Sequence, residues 1–390
     1  MTVLKQIFEI SLMNLRNLPS RLGSSSVIVV GIAGVVSVLV GLLSMASGFN
    51  AVLQNTSSPD RAVVVRDGSI SEVNSVISIQ DLNIVSRMEG ISGSSGELFV
   101  IADVPKKSTG TPANLVIRGV QQSAFGIRPE LHIVEGRNFQ TGVSELITGA
   151  KASVAFSGLE IGEKLQFRDS TWTVVGMFES GGNAYESEVW ADLPVVQTAF
   201  RRDGSINTIR VILDDPSLAT EIHQRIQDDP RLDLKLVTED EFYQAQSKER
   251  TDMINTFGVA VGVIMAIGAV FAALNTMYSA VSVRTVEIAT LRALGFGGLP
   301  VVVSVMIEAL TLASIGGLLG GGLVYLIFDG YTASTLNTTG SFSQVVFDFA
   351  VTPELLQLGI TWALLLGLVG GLFPAVHAAR LPITKALRGE

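Results

Sequence analysis

The chain contains no cysteine. That excludes disulfide stapling and says nothing further about compartment. Its three histidines, His132, His223 and His377, lie far apart in sequence and show no metal-ligand spacing. No G-x-x-x-x-G-K-[ST] segment occurs, so no phosphate-cradling loop of that kind is present to hold ATP. "SGG" at 180–182 offers a serine without the partners of a nucleophile. Charge is scarce as well: 16% of the 390 residues carry it. With a positive mean hydropathy, that is too apolar for an ordinary soluble domain. The net charge of −9 argues against nucleic acid as a partner.

What is present is apolar length. Residues 27–49, 253–283, 299–328 and 354–376 each exceed the roughly 20 apolar residues that cross a bilayer. The alternative, four buried helices of a large soluble core, fits their near-absence of charge poorly. Residues 51–250 hold 19 Lys and Arg against 28 Asp and Glu, which is the whole net charge. The other eight basic residues are Lys5, Arg16, Arg21, Arg284, Arg292, Arg380, Lys385 and Arg388. All lie near a terminus or in the short segment between the second and third runs. The loop 329–353 has none. Positive residues in short loops mark the cytoplasmic side. Both termini and the segment 284–298 are therefore expected inside, and 51–250 and 329–353 outside. The first run is expected to be a retained span, since its core is longer than a signal peptide's and its loss would leave an odd number of crossings.

Residues 4–22 place Leu4, Ile7, Phe8, Leu12 and Leu15 near one helical face, as in a helix lying in the membrane interface. The outward domain opens strand–helix–strand over "RAVVVRDG", "IQDLNIVSRMEG" and "GELFVIADV", followed by a strand "ANLVIRGV". It closes strand–helix–strand over "INTIRVILDD", "SLATEIHQRIQDD" and "LDLKLVT". Between them, "EKLQFRDSTWTVVGMF" alternates as antiparallel strands do. The reading is an α+β subdomain in two separated halves, 58–118 and 205–237, with a β-rich insert at 119–204. Thr238 and Glu241 have capping-box spacing, and no proline falls between 239 and 283. One long helix is expected there, its first part, 238–252, a stalk. Glycine pairs recur on the spans: Gly31 and Gly34, Gly258 and Gly262, Gly316 and Gly320, Gly317 and Gly321, Gly367 and Gly371. They suit close helix packing, more readily within the chain than between copies.

The segment "SVRTVEIATLRALGFGG", 282–298, reads as a short helix with Ile288, Leu291 and Leu294 on one side and Arg284 and Glu287 spaced to pair. Gly295 is placed to end it and Pro300 to open the next helix. Periodicity leaves two readings: a turn anchored by arginines, or a knob for a cytoplasmic partner. Glu308 is a carboxylate inside the third span, read either as part of a proton or ion path or as a group hydrogen-bonded to neighbouring Ser and Thr.

"RTVEIATLRALG" resembles the cytoplasmic coupling segment of MacB/FtsX-like ABC transporter permeases, the mechanotransmission type. "NLRNLPSRLGSSSVIVVGIAGV", "EGRNF", "VVGMFES", "IEALTLASIGGLLG" and "GLFPAVHAARLPITKALRG" are similar to other parts of that family, in order and across essentially the whole chain. The resemblance implies a four-span inner-membrane permease with a MacB-like periplasmic core domain: a split porter-like α+β subdomain and a separate β-rich insert. Its expected parts are an interfacial helix (1–23), spans at 24–50, 253–283, 299–328 and 354–378, a periplasmic domain (51–250), a coupling helix (284–298), a periplasmic loop (329–353) and a cytoplasmic tail (379–390); the expectation of no fused domain, since the sequence stops just after the last motif, is a departure from the family. It implies two copies of a separate cytoplasmic ATPase carrying ATP-Mg, with no cofactor held by this chain and no catalysis of its own. It implies a dimer with a second copy or a paralogue, set among membrane lipids, and leaves room for a periplasmic adaptor and an outer-membrane channel. By position, Arg284, Glu287, Leu291, Arg292 and Gly295 are the expected ATPase contacts, with Arg380 and the C-terminal tail as further contributors. A glutamate at the place of Glu308 is common in the family. Export of a substrate and activation of a periplasmic enzyme such as a cell-wall hydrolase both fit.

Overall fold

The structure is a computed structural model and describes residues 3–16, 22–69, 71–334 and 345–382. The chain divides into two units. A helical unit holds residues 1–47, 252–331 and 349–390, and a sheet unit holds 48–251 and 332–348. Four helices are long and apolar enough to cross a membrane: Ser25–Gln54, Asp252–Val283, Gly298–Phe328 and Pro353–Arg380. They fall on the four apolar runs. The chain begins with α1 (Val3–Arg16) and α2 (Leu22–Gln54). α1 ends short of the expected residue 22, and residues 17–21 lie outside the described residues. Ile10, Ser11 and Asn14 are buried, while Leu4 and Phe8 stay exposed.

The sheet unit starts with β1 (Arg61–Arg66), β2 (Ile77–Ser78), α3 (Ile79–Val85), β3 (Ile91–Pro105) and β4 (Pro112–Val120). Ser78 and Asp81 form a full capping box that starts α3. Next come α4 (Ser123–Ile127), β5 (His132–Gly136), β6 (Glu145–Gly149), α5 (Ala150–Ala155), β7 (Lys164–Phe167), β8 (Ser170–Glu179), β9 (Glu188–Asp192) and α6 (Leu193–Ala199). β10 (Ser205–Ile206), β11 (Thr208–Leu213), α7 (Ala219–Asp228) and β12 (Leu234–Thr238) complete it. One ten-stranded sheet runs β12-β1-β11-β3-β4-β9-β6-β8-β5, with β7 on β8. Its first five strands come from the two separated halves of the sequence, and the rest from the stretch between them. The halves and the insert thus share a single sheet, joined where β4 pairs with β9 in parallel. β6 and β8 also pair in parallel, because the chain crosses over through α5 between them.

Both faces of this sheet are covered. One carries an apolar core of Leu98, Leu115, Ile117, Ile209 and Val211 under Leu82, Val196 and Ile222 of α3, α6 and α7. The other carries the aromatic cluster Phe139, Phe178, Tyr185 and Trp190 and, beside it, buried charge.

α8 (Glu239–Val283) is one uninterrupted helix that belongs to both units. α9 (Thr285–Ala293) and α10 (Gly298–Phe328) follow, then β13 (Thr332–Ser334), β14 (Val346–Asp348) and α11 (Pro353–Arg380). The loop expected as 329–353 contributes the pair β13–β14 to the sheet unit. There Ser187 Oγ accepts from Val346 N–H at 2.9 Å, and Lys151 pairs with Asp348 at 3.1 Å. Within the helical unit, α10 and α11 meet through glycine. A Cβ on Gly367 would lie 2.5 Å from that of Ala313, and one on Gly320 would lie 2.5 Å from the Ala33 oxygen on α2. Gly31 and Gly34 face nothing within 4 Å among the described residues, so close packing within the chain accounts for the expected glycine pairs of α10 and α11 and not for this one.

Candidate functional site

The segment between the second and third long helices is built from its turns inward. α8 stops at Val283 because Arg284 leaves helical geometry, at φ −97° and ψ 8°. The Arg284 carbonyl still accepts from Ile288 N–H at 2.9 Å, so α9 starts at once. Gly295 ends it at φ +96°, a conformation other residues adopt rarely. Phe296 N–H donates back to Leu291 O at 3.2 Å and Gly295 N–H to Arg292 O at 3.1 Å, the paired bonds of a glycine C-cap.

The side chains correct the sequence reading. Arg284 does not pair with Glu287. Its Nη1 donates to Glu308 Oε2 at 2.7 Å and its Nη2 to Oε1 at 3.3 Å. Arg284 is 5% exposed and Glu308 4%. Three-residue spacing suggested the local partner. A charge this buried needs one that stays dry with it, and Glu308 lies on the helix packed alongside. Arg292 is half-buried and donates to Leu381 O, past the end of α11, at 2.8 Å. Leu291 is half-buried and Ile288 buried, but Leu294 is 73% exposed, so the expected apolar face is split. Glu287 and Gly295 are exposed. Of the five expected contacts, then, three turn toward their own chain. The outward stripe is Val286, Thr290 and Leu294, one turn apart, with Glu287 beside it. Arg380 is exposed, and residues 383–390 of the expected tail lie outside the described residues.

A cavity of about 20 Å³ lies behind α9, lined by Arg284, Glu308, Asn14, Met277, Ile288 and Val305 among others. Asn14 donates to Ser304 Oγ at 2.6 Å, one turn before Glu308 on α10. α1, α8, α9 and α10 thus meet around a small polar cluster in apolar surroundings. Glu308 finds its partner in an arginine rather than in the neighbouring Ser and Thr of the sequence reading.

The sheet unit holds a larger charged cluster that the sequence reading missed. Arg118 of β4 bonds Glu72, Glu97 and Glu188 at 2.6–3.1 Å. Arg128 bonds Glu97 at 2.7 Å, and its guanidinium lies 4.4 Å from the centre of the Tyr185 ring. Arg210 of β11 reaches Glu72, Glu239 and the Tyr243 hydroxyl. Arg61 pairs with Glu130 and Glu239. Glu239 and Tyr243 belong to the first turns of α8, so the cluster holds the start of that helix to β1 and β11. Burial by itself raises the Glu72 carboxyl, but Arg118 and Arg210 outweigh it and hold it down to about 2. Burial likewise works against ionised Glu97, and Arg128, Arg118 and Arg210 keep it below the ordinary carboxylate range. The one sequence signal was a charge at inward positions of otherwise apolar strands, as in "NLVIRGV" and "TIRVIL". Among the described residues no three His, Asp or Glu gather as a metal site.

Two family models match the chain: the MacB-like periplasmic core domain over residues 25–229, and the FtsX-like permease C-terminal region over 259–383. A macrolide export ATP-binding/permease protein MacB from Hyphomonas neptunium is 24% identical, covering 99% of this chain and 61% of its own length. An uncharacterized ABC transporter permease of Methanocaldococcus jannaschii is 23% identical over 60% of this chain and 58% of its own. One from Mycobacterium tuberculosis is 26% identical over 59% and 27%. The chain therefore spans less than two thirds of each of these relatives. The crystal structure of the periplasmic region of MacB from Actinobacillus actinomycetemcomitans overlaps 47% of this chain and 91% of its own, at 14% identity and a TM-score of 0.36. On its two family matches and its four long apolar helices, the chain belongs to the MacB/FtsX-type family of ABC transporter permeases and is a multi-pass membrane protein.

Proposed function

We propose that this permease takes up the motion of a separate ATPase at α9 and delivers it through α8 to the sheet unit, where it drives export or extraction of a substrate. The observation that carries the reading is α9 itself. It is a short helix held to its own chain on one side and offering Val286, Glu287, Thr290 and Leu294 on the other. Val286 is 54% exposed and Val283 79%, apolar surface next to a single carboxylate. A groove with apolar walls and one basic group fits that stripe. The sequence has no phosphate loop, so the reading assigns ATP-Mg to the partner, two copies of it on a dimer of permeases. The membrane is the inner membrane, with both termini and α9 on the cytoplasmic side, as the basic residues argue. α8 supports the route, since one helix without a break runs from Glu239 to the bend at Arg284.

The test is purification in mild detergent with crosslinking, followed by identification of what is bound. A nucleotide-binding polypeptide held by the wild type and lost from Leu294→Asp and Glu287→Lys supports the reading. Retention in both variants removes α9 as the docking helix. Co-purification of a cell-wall hydrolase, with no transported compound, would turn the output from export to signalling.

A further inference from the structure

We propose that Arg284 and Glu308 are positioning residues: their ion pair pins the pivot of α9 to α10, so that α9 moves with α10 as well as with α8. This rests on α9 being the helix that receives the ATPase, and the pin itself can be tested without one.

Arg284 is the single residue between α8 and α9, and its backbone is where the helical geometry is interrupted. A joint of one residue, attached only through the chain, would let α9 swing. The guanidinium removes that freedom. It meets the carboxylate through two nitrogens, a planar fork that fixes angle as well as distance. The neighbours supply Glu308 with no other cation, and Arg284 only with Glu287, which is exposed to solvent. The cavity wall is mainly Ile10, Met13, Met277, Val281, Val301 and Val305, and the other charge on it is Glu287, which repels Glu308 rather than pairing with it. Among the described residues each member of the pair has the other as its ion-pair partner. Separation would leave Glu308 without a counter-charge in apolar surroundings, so the joint stays closed.

A second hold lies at the far end, where Arg292 donates to Leu381 O. α9 is thereby fixed to α10 at its start and to the end of α11 at its finish. A push on the exposed stripe then displaces α10 and α11 together with α8. This differs from docking. Arg284, expected to touch the ATPase, acts through Glu308 instead.

The natural absence of cysteine allows exclusive labelling. Nitroxides on Thr290→Cys in α9 and Leu326→Cys near the far end of α10, in the full chain, report the spread of α9 orientations as a distance distribution. The expected result is a single narrow distribution that broadens about twofold in Arg284→Lys, where charge remains and the fork is lost. Glu308→Gln should broaden it similarly. The reciprocal pair Arg284→Glu/Glu308→Arg should narrow it again. Should that swap fail to fold, Arg284→Met/Glu308→Leu keeps the core apolar and should stay broad. Unchanged distributions in Arg284→Lys and Glu308→Gln overturn the pin. ATPase co-purification provides the separate arm. Loss in Leu294→Asp with unchanged distances supports docking on the stripe, whereas retention there refutes docking and leaves the pin standing.

Discussion

In the sheet unit Arg118 meets three carboxylates; in the helical unit Arg284 meets one. Both arginines are almost fully buried. Arg118 belongs to a mesh in which Glu72, Glu97 and Glu239 are each shared by at least two guanidiniums, with Tyr185 and Tyr243 filling in. Arg284 belongs to a pair. A mesh spreads the cost of burying charge, so every member depends on several others. A pair confines that cost to two side chains, which can in principle be exchanged together. The sheet unit uses charge to fasten strands and the first turns of α8 that are far apart in sequence. The helical unit uses it at one joint.

The most damaging way to probe this contrast is Arg118→Met. It strands parts of three carboxylates at once, and the loss should reach or exceed the top of the roughly 3–5 kcal/mol range for an uncompensated buried charge. Urea unfolding of the full chain, followed by the fluorescence of buried Trp172 and Trp190, measures it. Arg284→Met comes next, at about 3 kcal/mol by thermal unfolding in detergent. The contrast predicts that adding Glu308→Leu restores most of that loss, whereas no second apolar change restores Arg118→Met. A third test is pH. Folded Glu72 sits at about 2, against an ordinary 4.5. Because the folded value is the lower one, its contribution is complete above about pH 5 and is lost as pH falls through about 2, roughly 3 kcal/mol in all. Urea midpoints of the wild type should drop across that window, while Glu72→Gln should start lower and drop less. The smallest effect is Ser304→Ala, which removes the acceptor of the Asn14 amide and should cost about 1 kcal/mol in the same thermal assay.

The spans were legible because about 20 apolar residues in a row have few other uses. α9 was legible from Gly295 and Pro300, which punctuate it. The continuity of α8 followed from the missing prolines. The partners were not legible. Sequence shows neighbours three or four apart, so Arg284 was assigned to Glu287, while its true partner lies 24 residues on. The mesh escaped for the same reason. Arg118, Glu188 and Arg210 are brought together by strand order, with Glu72 on the turn after β1, and a charge in a strand ordinarily reads as facing water. Which residues of α9 point outward needed the packing against α10 and the end of α11, and Leu294 ended on the side opposite to its expected companions.

The glycine seam gives the helical unit an uneven stiffness. Where α2, α10 and α11 touch at Gly316, Gly320 and Gly367, main chain lies against main chain, alanine or the β-branched Ile32 and Val36, whose rotamers a helix restricts, so little there can turn to absorb strain. At Gly258 and Gly262, α8 rests instead on the side chains of Leu42 and Leu39. Leucines can re-rotate and carbonyls cannot. Within this unit the compliant part of α8 is therefore the stretch over the two leucines; further along, a Cβ on Gly370 of α11 would lie 2.8 Å from that of Ala273, and there α8 joins the close-packed block.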